Sequence, residues 1–274
     1  MRKIFEKFTP SDFQFLAETL CRGGEEKRAF LGLVTNDYDT LNTILDNDLL
    51  FDRVARDEHL FVQVSPYLYF ELLLRRAIRD IERESYTLER IGYRTVIPVF
   101  DGRKVLEVLA RDALRDYLVE LLVSFIRINN ITVYIRRGRG VYFKKTLSDF
   151  DLDLLAELSE RVDEPYRFIF LKRAGDIALF VSGIFPEQLF GELHASFAKR
   201  TWLRNFRGRG EELEEKGIAL YRKASESVTA REYQLDTLLS YIADNFRFTK
   251  KPLNVMTDRY LTFRKYNIFE AFFN

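Results

Sequence analysis

The chain has 274 residues, of which 47% are hydrophobic and 15% aromatic, enough for a sizeable core in one large domain or two small ones. The 43 Lys and Arg nearly balance the 42 Asp and Glu, so a net charge of +1 excludes a protein that coats nucleic acid through its whole field. The single cysteine, Cys21, excludes an intrachain disulfide, and no apolar run approaches the ~20 residues that a membrane helix needs.

The start, Met1-Arg2-Lys3-Ile4-Phe5-Glu6-Lys7, has basic residues but no apolar stretch of signal-peptide type. These features set the expectation of a soluble, cytoplasmic protein. Short helices are predicted over Pro10–Leu20, 25–34 and 38–49, with an extended stretch over 61–65. Ser65-Pro66 is a helix start, Ser as cap and Pro at the first helical position, for a helix running to Glu84. Residues 93–100 are β-branched and contain Pro98, which places them at a sheet edge.

The longest predicted helix covers 103–127, where Val105, Leu109, Ala113, Leu118, Leu121 and Phe125 fall at helical spacing. Asn129-Asn130 ends it. Residues 131–145 then give the best strand signal, followed by helices over 147–162 and 166–185. Gly208-Arg209-Gly210 interrupts the chain before helices over 211–227 and 230–247, a loop over 250–254 and an aromatic-rich end over 258–273. The whole is expected to be a mainly α, single-domain, bundle-like fold over 1–274 with one β-hairpin near 131–145.

That hairpin is the surface singled out for function. Side chains alternate along a strand, so apolar residues must match across the pair. An odd-length loop sets Ile135 opposite Val141 and Val133 opposite Phe143, with Gly138 or Gly140 supplying the left-handed turn position. The other face then carries Thr132, Tyr134, Arg136, Tyr142, Lys144 and Thr146, and the tip adds Arg137 and Arg139. Basic groups interleaved with tyrosines suit a phosphate backbone and stacked bases. The same residues are also ordinary on the wet face of a half-buried sheet. A second basic cluster, Lys199, Arg200, Arg204, Arg207 and Arg209, repeats the Arg-Gly-Arg-Gly tetrapeptide, and it could join the hairpin in one anion surface or form a solvated loop before the acidic run 211–215.

Other constellations read as structural. Arg75, Arg79 and Arg83 among Glu71, Asp80, Glu82 and Glu84 predict a salt-bridged solvent face, with Glu71 and Arg75 at i,i+4. Asp149, Asp151, Asp153 and Glu160 have the spacing of a calcium loop, but Leu154 stands where the turn needs Gly, so they read as helix-capping acids. His59, His194 and Cys21 cannot make a tetrahedral zinc site, and there is no nucleophile elbow or phosphate-binding Gly-rich loop. No cofactor is expected. Tyr260, Phe263, Tyr266, Phe269 and Phe272 recur every third residue, which suits either core packing or docking on a second subunit.

The segment Gly175-Asp176-Ile177-Ala178-Leu179-Phe180-Val181-Ser182-Gly183-Ile184-Phe185-Pro186-Glu187 resembles a motif of a family of prokaryotic helical proteins with no assigned activity, and Val64-Ser65-Pro66-Tyr67-Leu68-Tyr69-Phe70-Glu71-Leu72-Leu73-Leu74-Arg75-Arg76 is similar in character. The resemblance implies a helical fold and carries over no functional residue. On the residues themselves, Gly175 and Gly183 predict close packing of a buried helix, and a buried Asp176 predicts an ion pair with Arg173 or another arginine. The expected function is that of a non-enzymatic binding protein contacting nucleic acid or another polyanion through the basic hairpin. The alternative is an assembly protein that homo-oligomerises through its aromatic end. An enzyme would need a pocket that collects His59, Asp176 or His194.

Overall fold

The computed structural model describes residues 2–35, 37–56, 63–92, 95–126, 130–138, 141–190, 206, 209–262 and 264–270, and across 130–147 it describes the backbone alone. The fold is mainly α with a β-hairpin, as the hydrophobic periodicity predicts. Among the described residues, no helix is long and apolar enough to cross a membrane.

After a 3-10 turn over Lys3–Lys7 come α1 (Pro10–Leu20), α2 (Gly24–Val34), α3 (Tyr38–Ile44) and α4 (Asp48–Arg56). Thr9 and Asp12 form a capping box at the start of α1, the backbone N–H of each donating to the other's side chain. Asp12 also accepts from the Ser65 backbone N–H at 2.6 Å, which ties the start of α1 to the next helix. The predicted helix over 38–49 divides because Asn47 turns its side chain onto the Leu49 N–H at 2.9 Å and restarts the chain as α4. Helix α5 (Pro66–Glu84) begins at the predicted Ser65 cap, whose hydroxyl accepts from the Leu68 N–H.

Two short strands follow, β1 (Thr87–Arg90) and β2 (Val96–Val99), paired antiparallel with Leu88 opposite Pro98. The extended reading of 93–100 covers β2, but its pairing with 87–90 has no periodic signal in four residues. The long helix predicted over 103–127 is two helices, α6 (Gly102–Leu109) and α7 (Asp112–Ser124). No breaker residue stands between them. Arg111 is extended there, its guanidinium 3.7 Å from the Tyr241 ring centre, and the Tyr241 hydroxyl donates to the Val108 carbonyl, so a tertiary contact overrides propensity.

The hairpin is β3 (Asn130–Gly138) and β4 (Val141–Ser148). Its register corrects the predicted one by two residues. Ile135 lies opposite Phe143, Val133 opposite Lys145 and Ile131 opposite Leu147. An irregularity between Arg136 and Gly138 sets Gly138 opposite Val141 and absorbs the shift. An even shift changes the pairs but keeps the same residues on one face, where Thr132 now pairs with Thr146, Tyr134 with Lys144 and Arg136 with Tyr142.

Helix α8 (Leu152–Ser159) is capped by Asp151, and α9 (Tyr166–Ile184) is the centre of the molecule. From Ala174 to Ile184 every residue of α9 is buried, which explains why its apolar residues form no stripe. It packs on α7, on α8, on α10 (Gly210–Ser225) and on a late helix, α14 (Lys251–Met256). Phe180 stacks on Phe125 with centroids 4.2 Å apart and meets the edge of Phe269 at 5.0 Å. Close approach is possible because α9 carries glycines. A Cβ on Gly183 would stand 2.7 Å from Leu253, and one on Gly175 would stand 3.0 Å from the Tyr221 ring.

The helix predicted over 230–247 is three pieces, α11 (Val228–Glu232), α12 (Asp236–Asp244) and α13 (Phe246–Thr249), with Gln234 in the left-handed region at φ 57° between the first two. The loop predicted over 250–254 is instead the start of α14, where Pro252 occupies a first-turn position that needs no N–H donor. A π-helical turn, Thr257–Leu261, continues it before α15 (Arg264–Glu270).

Candidate functional site

The structure distributes the sequence-predicted site residues unevenly. Tyr134, Arg136, Arg137, Tyr142 and Lys144 all lie on the hairpin strands, whose side chains are outside the described residues, as are Arg139, Arg204 and Arg207 altogether. Arg209 is the described member of the second basic cluster. It stands just before α10 and forms charge-assisted hydrogen bonds to both Glu212 carboxylate oxygens, at 2.9 and 2.6 Å. It also reaches Asp153 at 3.4 Å, in the first turn of α8, close in sequence to the end of β4. These bonds hold the guanidinium protonated well above its ordinary range and pull Glu212, which is also paired with Lys216, down to about 2.

The acidic run before α8 is occupied in the same way. Asp149 accepts from Arg173 at 3.0 Å, Asp151 caps α8 through the Leu154 N–H, and Asp153 takes Arg209 and Lys216. Since Arg173 belongs to Asp149, the partner expected for Asp176 is corrected. Asp176 is buried and accepts from the Tyr117 hydroxyl, from the Tyr221 hydroxyl at 2.8 Å and from Lys172 at 2.8 Å. Burial, and then the negative charge of Asp176, push both phenols well above the ordinary tyrosine range. Four satisfied groups in a core hold helices together.

The α5 charges are also partly inside. Glu71 pairs with Arg75 as predicted, at 2.6 Å, but it is fully buried and is also held by Arg2, whose Nη2 donates at 2.9 Å. Arg2 reaches Asp116 at 2.8 Å, so a buried triad joins the N-terminal segment to α5 and α7. The solvent-face reading holds for Glu82 and Arg83, which are exposed, whereas Asp80 is buried and Arg79 is half-buried and meets Asp48 at 2.6 Å. At the aromatic end, Tyr266 and Phe269 are buried, Tyr260 is half-buried against Phe51, and Phe263 and Phe272 lie outside the described residues.

One cleft of about 690 Å³ stands out among the described residues, within the size range of small-ligand sites. Its lining comes from β1, the end of α9, a 3-10 turn over Pro186–Phe190, the first turn of α10, α13, α14 and the π-helical turn. Buried Ser182 lines it, and the Ser182 Oγ has no hydrogen-bond partner among the described residues. Beside it, Asn254 Nδ2 donates to the Ser182 and Gly183 carbonyls at 2.9 Å each, which binds α14 to the last turn of α9. Lys251 is buried against Asp101 and Thr87, and Asp258 faces Arg90 at 3.5 Å. Burial raises the Asp258 carboxyl above its ordinary range despite the opposing charge of Arg90.

Sequence reasoning missed this cleft for a physical reason. Its residues come from four separate segments, and of the stretch Gly175 to Glu187 that the sequence marks, Ser182 and Pro186 line it. His59 and His194 lie outside the described residues, and Asp176 does not line the cleft. Comparison with family models, curated proteins and solved structures returns no match for this chain.

Proposed function

We propose that the chain is a non-enzymatic binding protein that contacts nucleic acid through the β3–β4 hairpin. The supporting observation is the register, which sets Tyr134 level with Lys144 and Arg136 level with Tyr142. Residues level across an antiparallel pair share a face, so cationic and aromatic residue types alternate along one strip. Such a strip can neutralise phosphates and stack bases without reading sequence. In the sequence, Arg137 and Arg139 follow Arg136 closely and add two cations. Arg204 and Arg207 would widen the strip, whereas Arg209 is already engaged by Glu212 and Asp153.

The test is fluorescence anisotropy of the full chain on a labelled single-stranded oligonucleotide across a salt series. Wild type should bind with an affinity that falls steeply with salt, and the combined change Arg136→Ala, Arg137→Ala and Arg139→Ala should weaken it at least about tenfold. Absence of salt-sensitive binding by wild type, or equal binding by the triple variant, overturns the proposal.

A further inference from the structure

The cleft at the end of α9 has an asymmetry of charge that the hairpin reading does not use. The start of α10 contributes Glu211, Glu212 and Glu214 against Arg209, an acidic side. Segments β1, α13 and α14, with the residue between the last two, contribute Arg90, Arg247, Lys250 and Lys251. Glu89 and Asp258 offset these in part, so that side is basic on balance. The sides meet where Lys250 and Arg247 pair with Glu214. Charge complementarity is what fixes the orientation of a bound molecule, and a lining that is acidic on one side and basic on the other disfavours a simple anion or cation.

We propose that this cleft binds a zwitterionic ligand of the amino-acid or short-peptide class. The ligand ammonium lies beside the α10 acids, and its carboxylate faces Arg90 and Arg247. Leu88, Ile91, Pro186, Leu189 and Phe190 supply apolar surface for a side chain. Two further observations point to a ligand. The orphaned Ser182 Oγ is a buried hydroxyl whose lost hydrogen bond needs compensation. The cleft is also bordered by a π-helical turn, which contributes Asp258 to the lining, and that geometry is rare and concentrated at functional sites. Among the described residues Glu211 forms no ion pair, so one acid of the α10 side is open to an incoming ammonium.

The inference is independent of the hairpin, and its test separates the two. The full chain is titrated calorimetrically with a panel of free L-amino acids and dipeptides, together with N-acetylated and C-amidated forms of the tightest binder. Inorganic phosphate and a mononucleotide serve as anionic probes. A zwitterion should bind, and blocking either end should weaken it at least about tenfold, the loss of one charge-assisted contact. Glu211→Gln and Arg247→Ala change exposed side chains and leave the fold intact, and each should weaken binding about fivefold or more. Ser182→Ala should weaken it by a smaller factor. The proposal fails if no zwitterion binds at millimolar concentration, if blocked forms bind equally well, if both surface variants retain full affinity, or if the anionic probes bind more tightly. The hairpin triple variant should bind the zwitterion as wild type does, and loss of binding there overturns the assignment to this cleft.

Discussion

The Tyr221 hydroxyl donates to Asp176 across 2.8 Å, joining α9 to α10 inside the core. Tyr117 of α7 donates to the same carboxylate oxygen, so one buried charge holds three helices. Asp176→Ala leaves two buried phenols without their acceptor and should cost about 3 kcal/mol. Tyr221→Phe removes one donor and leaves Asp176 with Tyr117 and Lys172, a loss of about 1 kcal/mol. Urea denaturation of the two variants checks the order; equal losses would show that the cluster is not the organising contact described.

Gly217 on α10 faces α9 and α13, where an added Cβ would stand 2.8 Å from both Ala178 and Phe246. Ala is the better helix former by about 1 kcal/mol. Overpacking a close contact costs about 1–3 kcal/mol, so the clash should win. Gly217→Ala is expected to lower the denaturation midpoint. Gly32, exposed on α2 with nothing near its Cβ position, should give the opposite sign when changed to Ala.

These contacts show where legibility ends. The Ser65-Pro66 start of α5 and the bounds of α1 were readable, because caps and proline act within a few residues. The close approach of α9 was readable from Gly175 and Gly183. The division between α6 and α7 was not, because its cause is Tyr241, far away in sequence. The partner of Asp176 was misassigned for the same reason: Arg173 is nearest in sequence, but it lies toward Asp149. The hairpin faces were readable from alternation, but the register was not, because an irregularity at Arg136–Gly138 shifts it without changing its parity. The cleft was not legible because its lining is assembled from four segments far apart in the chain.

Phe269 is fully buried, stacked on Phe70 with centroids 5.8 Å apart and edge-on to Phe180. Phe269→Ala should therefore cost about 3–5 kcal/mol. The companion measurement is mass by light scattering. A core role lowers stability at every protein concentration, whereas an interface role makes the loss depend on concentration.

Glu212 supplies a pH prediction. Its folded value, about 2, lies below the ordinary 4.5 because Arg209 and Lys216 bind the charged form. A lowered carboxylate contributes stability above its unfolded value and loses it as pH falls from 4.5 through 2. The side chain is exposed, so molar salt should move the value back toward 4.5. Carbon-detected NMR of the carboxylate should find a midpoint near 2, and Arg209→Ala should raise it. A midpoint near 4.5 in wild type at low salt would show that the Arg209 pair does not form.

That pair also separates the basic residues from one another in nucleic-acid binding. A cation already neutralised by a carboxylate releases few counterions when phosphate arrives, because the carboxylate must first be displaced. Arg209 is in that condition, held by Glu212 and Asp153. Arg209→Ala is expected to leave the slope of log affinity against log salt unchanged. Arg136→Ala should reduce that slope by about 0.7, the value of one phosphate contact on a single strand. Tyr134→Ala should weaken binding by about 1–3 kcal/mol with no change in slope, since stacking neutralises no charge. Three variants thus read three physical roles on one salt series. A slope lowered by Arg209→Ala but not by Arg136→Ala would move the interface from the hairpin to the start of α10.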